Sequence, residues 1–346
     1  MPSYSLQIIT DKTVWENYLS SRPEANFLQS WNWGVFQQKL GKQVWYCGFF
    51  AGEENCNQTQ VAAALCIKEK AKRGTYLTIA GGPLTDWHNE ALLQFIFSQI
   101  RSLAQTEKCL FVRLRPQEID TPELRATVKK LGLAEAPMHL TADLTLQLDL
   151  TKPLETLLIE MRKNTRYEVK SAAKENIVVK TSTNPDDIRP FYEQQLAVAR
   201  KHHFVPFSFR FLDEQFRTFV ADSQVILFHA YKQTGELLAS AFIIFYHGEA
   251  VYHYGVSTPA NERQPGSYAC QWAAIQWAKE HGGLKYNFWG IAPQDKPDHR
   301  FAGVSLFKRG FGGTEVQYLP AHDLAVGWSY QMVRQFELLR KKLRKL

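Results

Sequence analysis

"VYHYGVSTPANERQPGSYACQWAAIQWAKEHGGLKYNFWGI", residues 251–291, opens on an aromatic, strand-like run, passes through a Pro- and Gly-containing turn and closes on a second strand-like run. Between the runs, "SYACQWAAIQWAKEHG" reads as one helix stopped by glycine. Strand, helix, strand is the unit of an α/β fold. The same order stands at residues 75–116, where "TYLTIAGGPL" leads into the helical pattern "EALLQFIFSQIRSLAQTE" and then "CLFVRLRP". Each unit follows two more strand-like runs, "QVWYCGFFAG" and "QVAAALCIKEK" in the first case, "QVILFHAYK" and "LLASAFIIFYHG" in the second. Gly81 and Gly255 hold matching places, 255 − 81 = 174 residues apart. We therefore expect two copies of one α/β (α+β) unit: a first domain over 1–148, a second over 149–318, and a basic amphipathic helix over 319–346 that packs back on the first domain. Twin domains of this kind bind substrate in a cleft between the copies, so functional residues should come from both.

The 346 residues, 45% of them hydrophobic, are ample for two cores. No run approaches the roughly 20 apolar residues of a membrane span, and the N-terminus carries charge where a signal peptide needs an apolar core. A cytoplasmic monomer is expected. The five cysteines, Cys47, Cys56, Cys66, Cys109 and Cys270, are odd in number and widely spaced, which suits reduced thiols better than a disulfide framework or zinc cluster. Basic residues exceed acids by 41 − 34 = 7, which suits a polyanionic partner. The excess concentrates in "RQFELLRKKLRKL", where Phe336, Leu339, Leu343 and Leu346 recur at helical spacing. The leading expectation is that these leucines dock on the protein with the lysines solvated; a peripheral place at the inner membrane face or along RNA phosphates stays open.

Pro153 reads as the start of a long helix with Leu154, Leu157, Leu158 and Met161 on one face and Arg162, Lys163 and Arg166 clustered further on. Strand, loop, helix, strand with a mixed sheet is also the layout of the GNAT acyltransferases, whose Q/R-x-x-G-x-G/A loop presents backbone N–H groups to the pyrophosphate of acetyl-CoA. The nearest stretch here, "RQPGSYA" (263–269), has Tyr268 in place of a small residue, so that site is expected to be degenerate. Walker A, HExxH, GxSxG and early GxGxxG motifs are missing, and the adjacent His202 and His203 would point apart, so neither metal nor cofactor is expected. In "LFKRGFGG" (306–313), Lys308 stands before glycines that permit a close backbone approach, and it serves either as a cation in a water-excluded site or as a solvated lysine in a hairpin.

Six stretches, in order, resemble the Fem family of peptidoglycan-branching aminoacyl transferases: "NFLQSWNWGVFQQKLG" (26–41), "GGPL" (81–84), "MRKNTRYEVKSAAKE" (161–175), "VYHYGVST" (251–258), "YNFWGIAP" (286–293) and "FAGVSLFKRGFGG" (301–313). The resemblance implies two tandem GNAT-like domains with mixed sheets, here without the helical hairpin insertion some members carry. It implies aminoacyl-tRNA as donor and a muramyl peptide precursor, UDP-linked or lipid-linked, as acceptor. Lys308 with Phe307 looks like the family's active-site pair. Tyr252, Tyr254 and Gly255 match its Y-x-Y-G strand, Trp289 and Gly290 its F-W-G-I run, and Arg166 its basic helix. Arg210, Arg113 and Trp33 are similarly placed as substrate contacts. Gln37 replaces a frequent lysine, with Lys39 and Lys42 as substitutes, and Asn287 replaces a frequent aspartate. An aminoacyl ester is already activated, so such an enzyme mainly positions an amine and stabilises an oxyanion, a task for Lys308 as a cation. Asp295 and Asp298 could relay a proton through water. A CoA-dependent N-acyltransferase and a non-catalytic tRNA- or membrane-binding protein are the alternatives.

Overall fold

The computed structural model describes residues 3–53, 58–72, 74–202 and 205–344. Cys56, His203 and Leu346, and the side chain of His202, lie outside the described residues, so the expectations resting on them go no further. The remaining four cysteines are buried free thiols.

In chain order the elements are β1 (Tyr4–Ile8), α1 (Lys12–Ser20), α2 (Trp31–Lys39), β2 (Val44–Ala51), β3 (Thr59–Ala71), β4 (Gly74–Ala80), α3 (Glu90–Thr106), β5 (Phe111–Arg115), α4 (Pro122–Lys130) and β6 (Leu133–Glu135). There follow β7 (Leu144–Asp149), α5 (Leu154–Glu160), α6 (Lys163–Lys174), β8 (Val178–Ser182), α7 (Ile188–His202), α8 (Phe209–Val220), β9 (Val225–Tyr231), β10 (Leu237–Tyr246) and β11 (Glu249–Ser257). The chain closes with α9 (Gly266–Glu280), β12 (Lys285–Gly290), α10 (Ala302–Arg309), β13 (Thr314–Gln317), β14 (His322–Ala325) and α11 (Tyr330–Arg344).

Two compact units result, residues 1–143 with 317–346, and residues 144–316. Each holds a seven-stranded sheet of matching plan, β1-β2-β3-β4-β5-β14-β6 in the first and β8-β9-β10-β11-β12-β7-β13 in the second. In both, the first four strands are antiparallel neighbours, the fourth and fifth run parallel through a crossover helix (α3 or α9), and the sixth is antiparallel to the fifth. The boundaries fall at 143/144 and 316/317 rather than 148/149 and 318/319, because 144–149 is β7, hydrogen-bonded to β12 of the second sheet. The C-terminal segment is likewise more than a helix, since β14 inserts between β5 and β6.

The crossover helices anchor the cores. Leu93, Ile96, Phe97 and Ile100 of α3 bury against Leu77, Ile79, Val112 and Leu114, each fully buried side chain contributing roughly 1.5–3 kcal/mol. Cys270, Ala274, Ile275 and Ala278 of α9 do the same against Phe228, Ile243, Tyr286 and Phe288. The helix expected from Pro153 onward is in fact two, because Met161 and Arg162 are extended, with ψ of 144° and 143°. Arg162 N–H turns away to the Gly310 carbonyl at 2.9 Å, and Arg166 Nη1 donates to the Ile159 carbonyl at the end of α5 at 2.8 Å.

Candidate active site

β11 and β12 are paired at Glu249–Lys285, Ala250–Tyr286 and Val251–Asn287, after which the two parallel strands part. Both become irregular at that point. On β11, Tyr252 faces Ile243 and Tyr254 faces Phe242, so His253 is an extra residue in the ladder. On β12, the register with β7 shifts between Asn287 and Gly290, and Trp289 adopts a left-handed φ of +63°. Asn287 holds this bend: its Oδ1 accepts the Trp289 N–H at 2.8 Å while its Nδ2 donates to Glu249 Oε1 at 2.8 Å. The acid missing at 287 is thus supplied across the strands by Glu249. Asn287→Asp would set two buried carboxylates against each other. We expect it to lose about 1–3 kcal/mol at pH 8 and to recover part of that at pH 5, where the pair takes up a proton, as urea melts at the two pH values would show.

Lys308 occupies the opening. "LFKRGFGG" is not a hairpin: residues 302–309 form α10, with Gly310 at its C-cap. Ser305 and Lys308 are its buried residues, Ser305 Oγ accepting the Ala292 N–H and donating to the Phe301 carbonyl, each at 2.7 Å. Lys308 Nζ donates to the Gly290 carbonyl at 2.8 Å and lies 5.7 Å from the centroid of the Tyr252 ring. The side chain is only 8% exposed, and burial alone pushes its pKa down from 10.5 to about 8. Lys308 is therefore a core residue, contrary to the solvated alternative. Phe307 turns the other way, packing on Tyr268 and Phe311 at 5.0 and 5.3 Å between ring centroids, against the core of the second unit.

The bulge at His253 divides the Y-x-Y-G strand. Tyr252 packs into the α9-side core, whereas Tyr254 lies against Phe242 (5.4 Å) and Phe207 (5.0 Å) on the α7 and α8 side. Tyr254 and Lys308 thus belong to opposite faces of the sheet, although residues two apart in a regular strand share a face. Gly255 gives room to Tyr252, whose hydroxyl would lie 1.6 Å from a Cβ there. His253, unremarked in the sequence, sits between Tyr254 and Trp289, and burial lowers its pKa to about 3, so it is a neutral imidazole. Thr165, also unremarked, is fully buried beneath Gly310, where a Cβ would meet its Oγ1 at 2.1 Å. Arg210 is exposed in the first turn of α8, on the Tyr254 side, and Arg166 is spent on the α5 carbonyl already described.

In the first unit, several of the expected contact residues pack on or pair with the protein's own side chains. Arg113 is buried and forked onto Asp323, with Nε–Oδ1 at 2.7 Å and Nη2–Oδ2 at 2.8 Å, and also reaches Glu337 at 2.7 Å. Trp33 packs edge-on against Phe27 and Phe36, Gln37 is buried, and Lys39 is exposed at the end of α2. Lys42, the other substitute cation, is bound to Glu69 at 2.6 Å. The conspicuous "GGPL" is a docking surface for the chain's own amides: Asn26 Nδ2 donates to the Gly81 carbonyl and Gln29 Nε2 to the Ala80 carbonyl, leaving no room for a Cβ at Gly81 or Gly82.

The loop "RQPGSYA" does not make an open phosphate cradle. Asn261 Oδ1 accepts the Ser267 N–H at the start of α9 at 3.1 Å, its Nδ2 donates to Ser267 Oγ, and Tyr268 turns into the Phe307 and Phe311 cluster. A pyrophosphate there would have to displace Asn261.

Comparison with known proteins gives this geometry its setting. The FemAB family model matches residues 10–125, and an acetyltransferase (GNAT) domain model matches residues 160–298. Aminoacyltransferase FemA of Staphylococcus aureus is 23% identical over 387 aligned positions, covering 87% of this chain and 91% of that protein. The chain is thus similar to a Fem aminoacyltransferase over most of its length. FemA of Staphylococcus epidermidis is 37% identical over 82 residues, a match that spans 24% of this chain and only a fifth (20%) of that relative. The crystal structure of FemX superimposes with a TM-score of 0.84 at 16% identity, over 96% of this chain and 100% of that one, so the Fem fold is shared nearly end to end. Tandem GNAT-like units with mixed sheets are the fold expected from the sequence.

Proposed function

We propose that this protein, like the Fem transferases it resembles, transfers an amino acid from the ester of an aminoacyl-tRNA to an amine on the stem peptide of a peptidoglycan precursor. The observation that carries the reading is the buried Lys308, anchored on the Gly290 carbonyl where β11 and β12 part. In the reaction, the acceptor nitrogen bonds to the ester carbonyl carbon, the carbon–oxygen bond to the ribose breaks, and the proton shed by nitrogen ends on the ribose oxygen. Lys308 in its ammonium form donates to the oxyanion that develops between these events. Its burial strengthens that interaction, since little water screens it. Tyr252 lies beside the ammonium, and Trp289, Tyr254 and Arg210 are assigned to the acceptor or the tRNA end.

The GNAT domain match favours a second reading, an acyl-CoA donor, which the Asn261 cap on α9 disfavours. The test uses labelled amino acids on a mixture of charged tRNAs, with a UDP-linked muramyl pentapeptide or a lipid-linked precursor as acceptor, and ribonuclease and acetyl-CoA as controls. Ribonuclease-sensitive transfer to either acceptor is expected. Transfer only from acetyl-CoA, or from neither donor to either acceptor, would overturn the reading.

A further inference from the structure

The C-terminal helix is docked the other way round from the sequence expectation. Tyr330, Val333 and Glu337 form its buried side, Tyr330 and Val333 packing with Phe111 and Glu337 taking a hydrogen bond from Arg113. Met332, Phe336, Leu339 and Leu343 point outward instead, within an arc of about 60° on the helix at its ideal turn. With Trp328, which precedes the helix, each is more than half exposed. A continuous apolar stripe in water is costly and marks a surface made to be covered.

The charges around the stripe say what covers it. Arg340, partly buried, and Lys342, exposed, flank it on its two sides, while the helix's one acid, Glu337, is buried and bound to Arg113. Cations of the helix thus flank the stripe on both sides, and none of the helix's acids lies at its rim. A second copy in parallel would bring the Arg340–Lys342 clusters of both helices together, and RNA phosphates would pair the cations while leaving Phe336 and the leucines in water. An anionic bilayer satisfies both features, since headgroups meet the cations and the acyl boundary takes the apolar side chains. The helix has 15 residues, and no helix among the described residues is long and apolar enough to cross a membrane.

We propose that α11 with Trp328 is an interfacial helix that lies in the plane of an anionic lipid surface. This does not rest on the acyl-transfer reading, and its readout is partition rather than turnover. The full chain would be floated with vesicles of phosphatidylcholine alone and of phosphatidylcholine with phosphatidylglycerol. Binding to the mixed vesicles is expected, weakened by salt and lowered about tenfold by Leu339→Ser, a change at an exposed position that circular dichroism should show to be folded. Arg340→Glu with Lys342→Glu should abolish the preference for the anionic vesicles. Equal binding by Leu339→Ser, no preference for anionic lipid, or no binding at all would overturn the proposal. So would a dimer in sedimentation equilibrium that Leu339→Ser dissolves without any vesicle binding, or salt-sensitive RNA binding without vesicle binding.

Discussion

Lys308→Met should lower kcat for aminoacyl transfer by about 10²–10³-fold, the usual effect of removing one preorganised oxyanion donor, while the protein stays folded. Methionine fills much the same buried volume without the ammonium. The folding side of the experiment has its own signature. Lys308 has a pKa of about 8 in the folded protein against 10.5 as a free side chain, so between these values the unfolded chain binds more protons. Wild-type stability therefore carries its full penalty below pH 8 and gains on raising the pH from about 8 to 10.5, by about 3 kcal/mol at most. The variant lacks this gain, though it also leaves the Gly290 carbonyl without its donor at a cost of about 1–3 kcal/mol. Urea melts of both proteins at pH 7.5 and 10 isolate the difference from every other titrating group. A variant with near-normal turnover would remove Lys308 from the chemistry, and a stability difference independent of pH would remove it from the buried, charge-penalised position.

How much of this could be read in the sequence depends on the range over which each feature is decided. The strand, helix, strand units at 75–116 and 251–291 are set by local periodicity, and both are where the pattern put them. The duplication was legible for the same reason. Features fixed by partners distant in sequence were not. Strand β14 completes the first sheet only because β5 and β6 leave a gap between them, about two hundred residues earlier in the chain. A one-residue bulge at His253 sends Tyr252 and Tyr254 to opposite faces, and nothing in "VYHYGVST" announces it, since the register is set against β10. Lys308 looked like either a cleft cation or a solvated lysine because burial of a lysine is a property of its surroundings, here the parting of β11 and β12. On α11 the leucine spacing was read correctly and its direction wrongly. Periodicity shows that a helix has an apolar stripe, not which side the protein covers, and here Glu337 and Tyr330 decide the docking through Arg113 and Asp323.

That docking network supports the other large prediction, Arg113→Met. Burial opposes the Arg113 charge, but the carboxylates of Asp323 and Glu337 outweigh it and hold the guanidinium protonated well above its ordinary range. Removing it leaves two carboxylates buried, on β14 and α11, without the guanidinium that bridges them. Breaking a buried pair from one side costs about 3–5 kcal/mol, because the desolvation already incurred loses its compensation. We expect a loss of that size in urea unfolding, with hydrogen exchange rising first in α11 and β14, the elements the guanidinium ties to β5. The sign with pH follows from the stranded acids. Their pKa values should rise in the folded variant, so its deficit is full at neutral pH and shrinks as the pH falls and they protonate. Replacing all three, as Arg113→Met with Asp323→Asn and Glu337→Gln, should recover much of the loss, since the neutral set carries no uncompensated charge. The same variants decide between the two roles available to Arg113. If it held substrate phosphates, as the family resemblance implied, Arg113→Met would stay folded with a raised KM and the triple variant would be no better. As a clamp for the C-terminal segment, it instead loses activity in proportion to its folded fraction, with KM unchanged, and the triple variant restores both together.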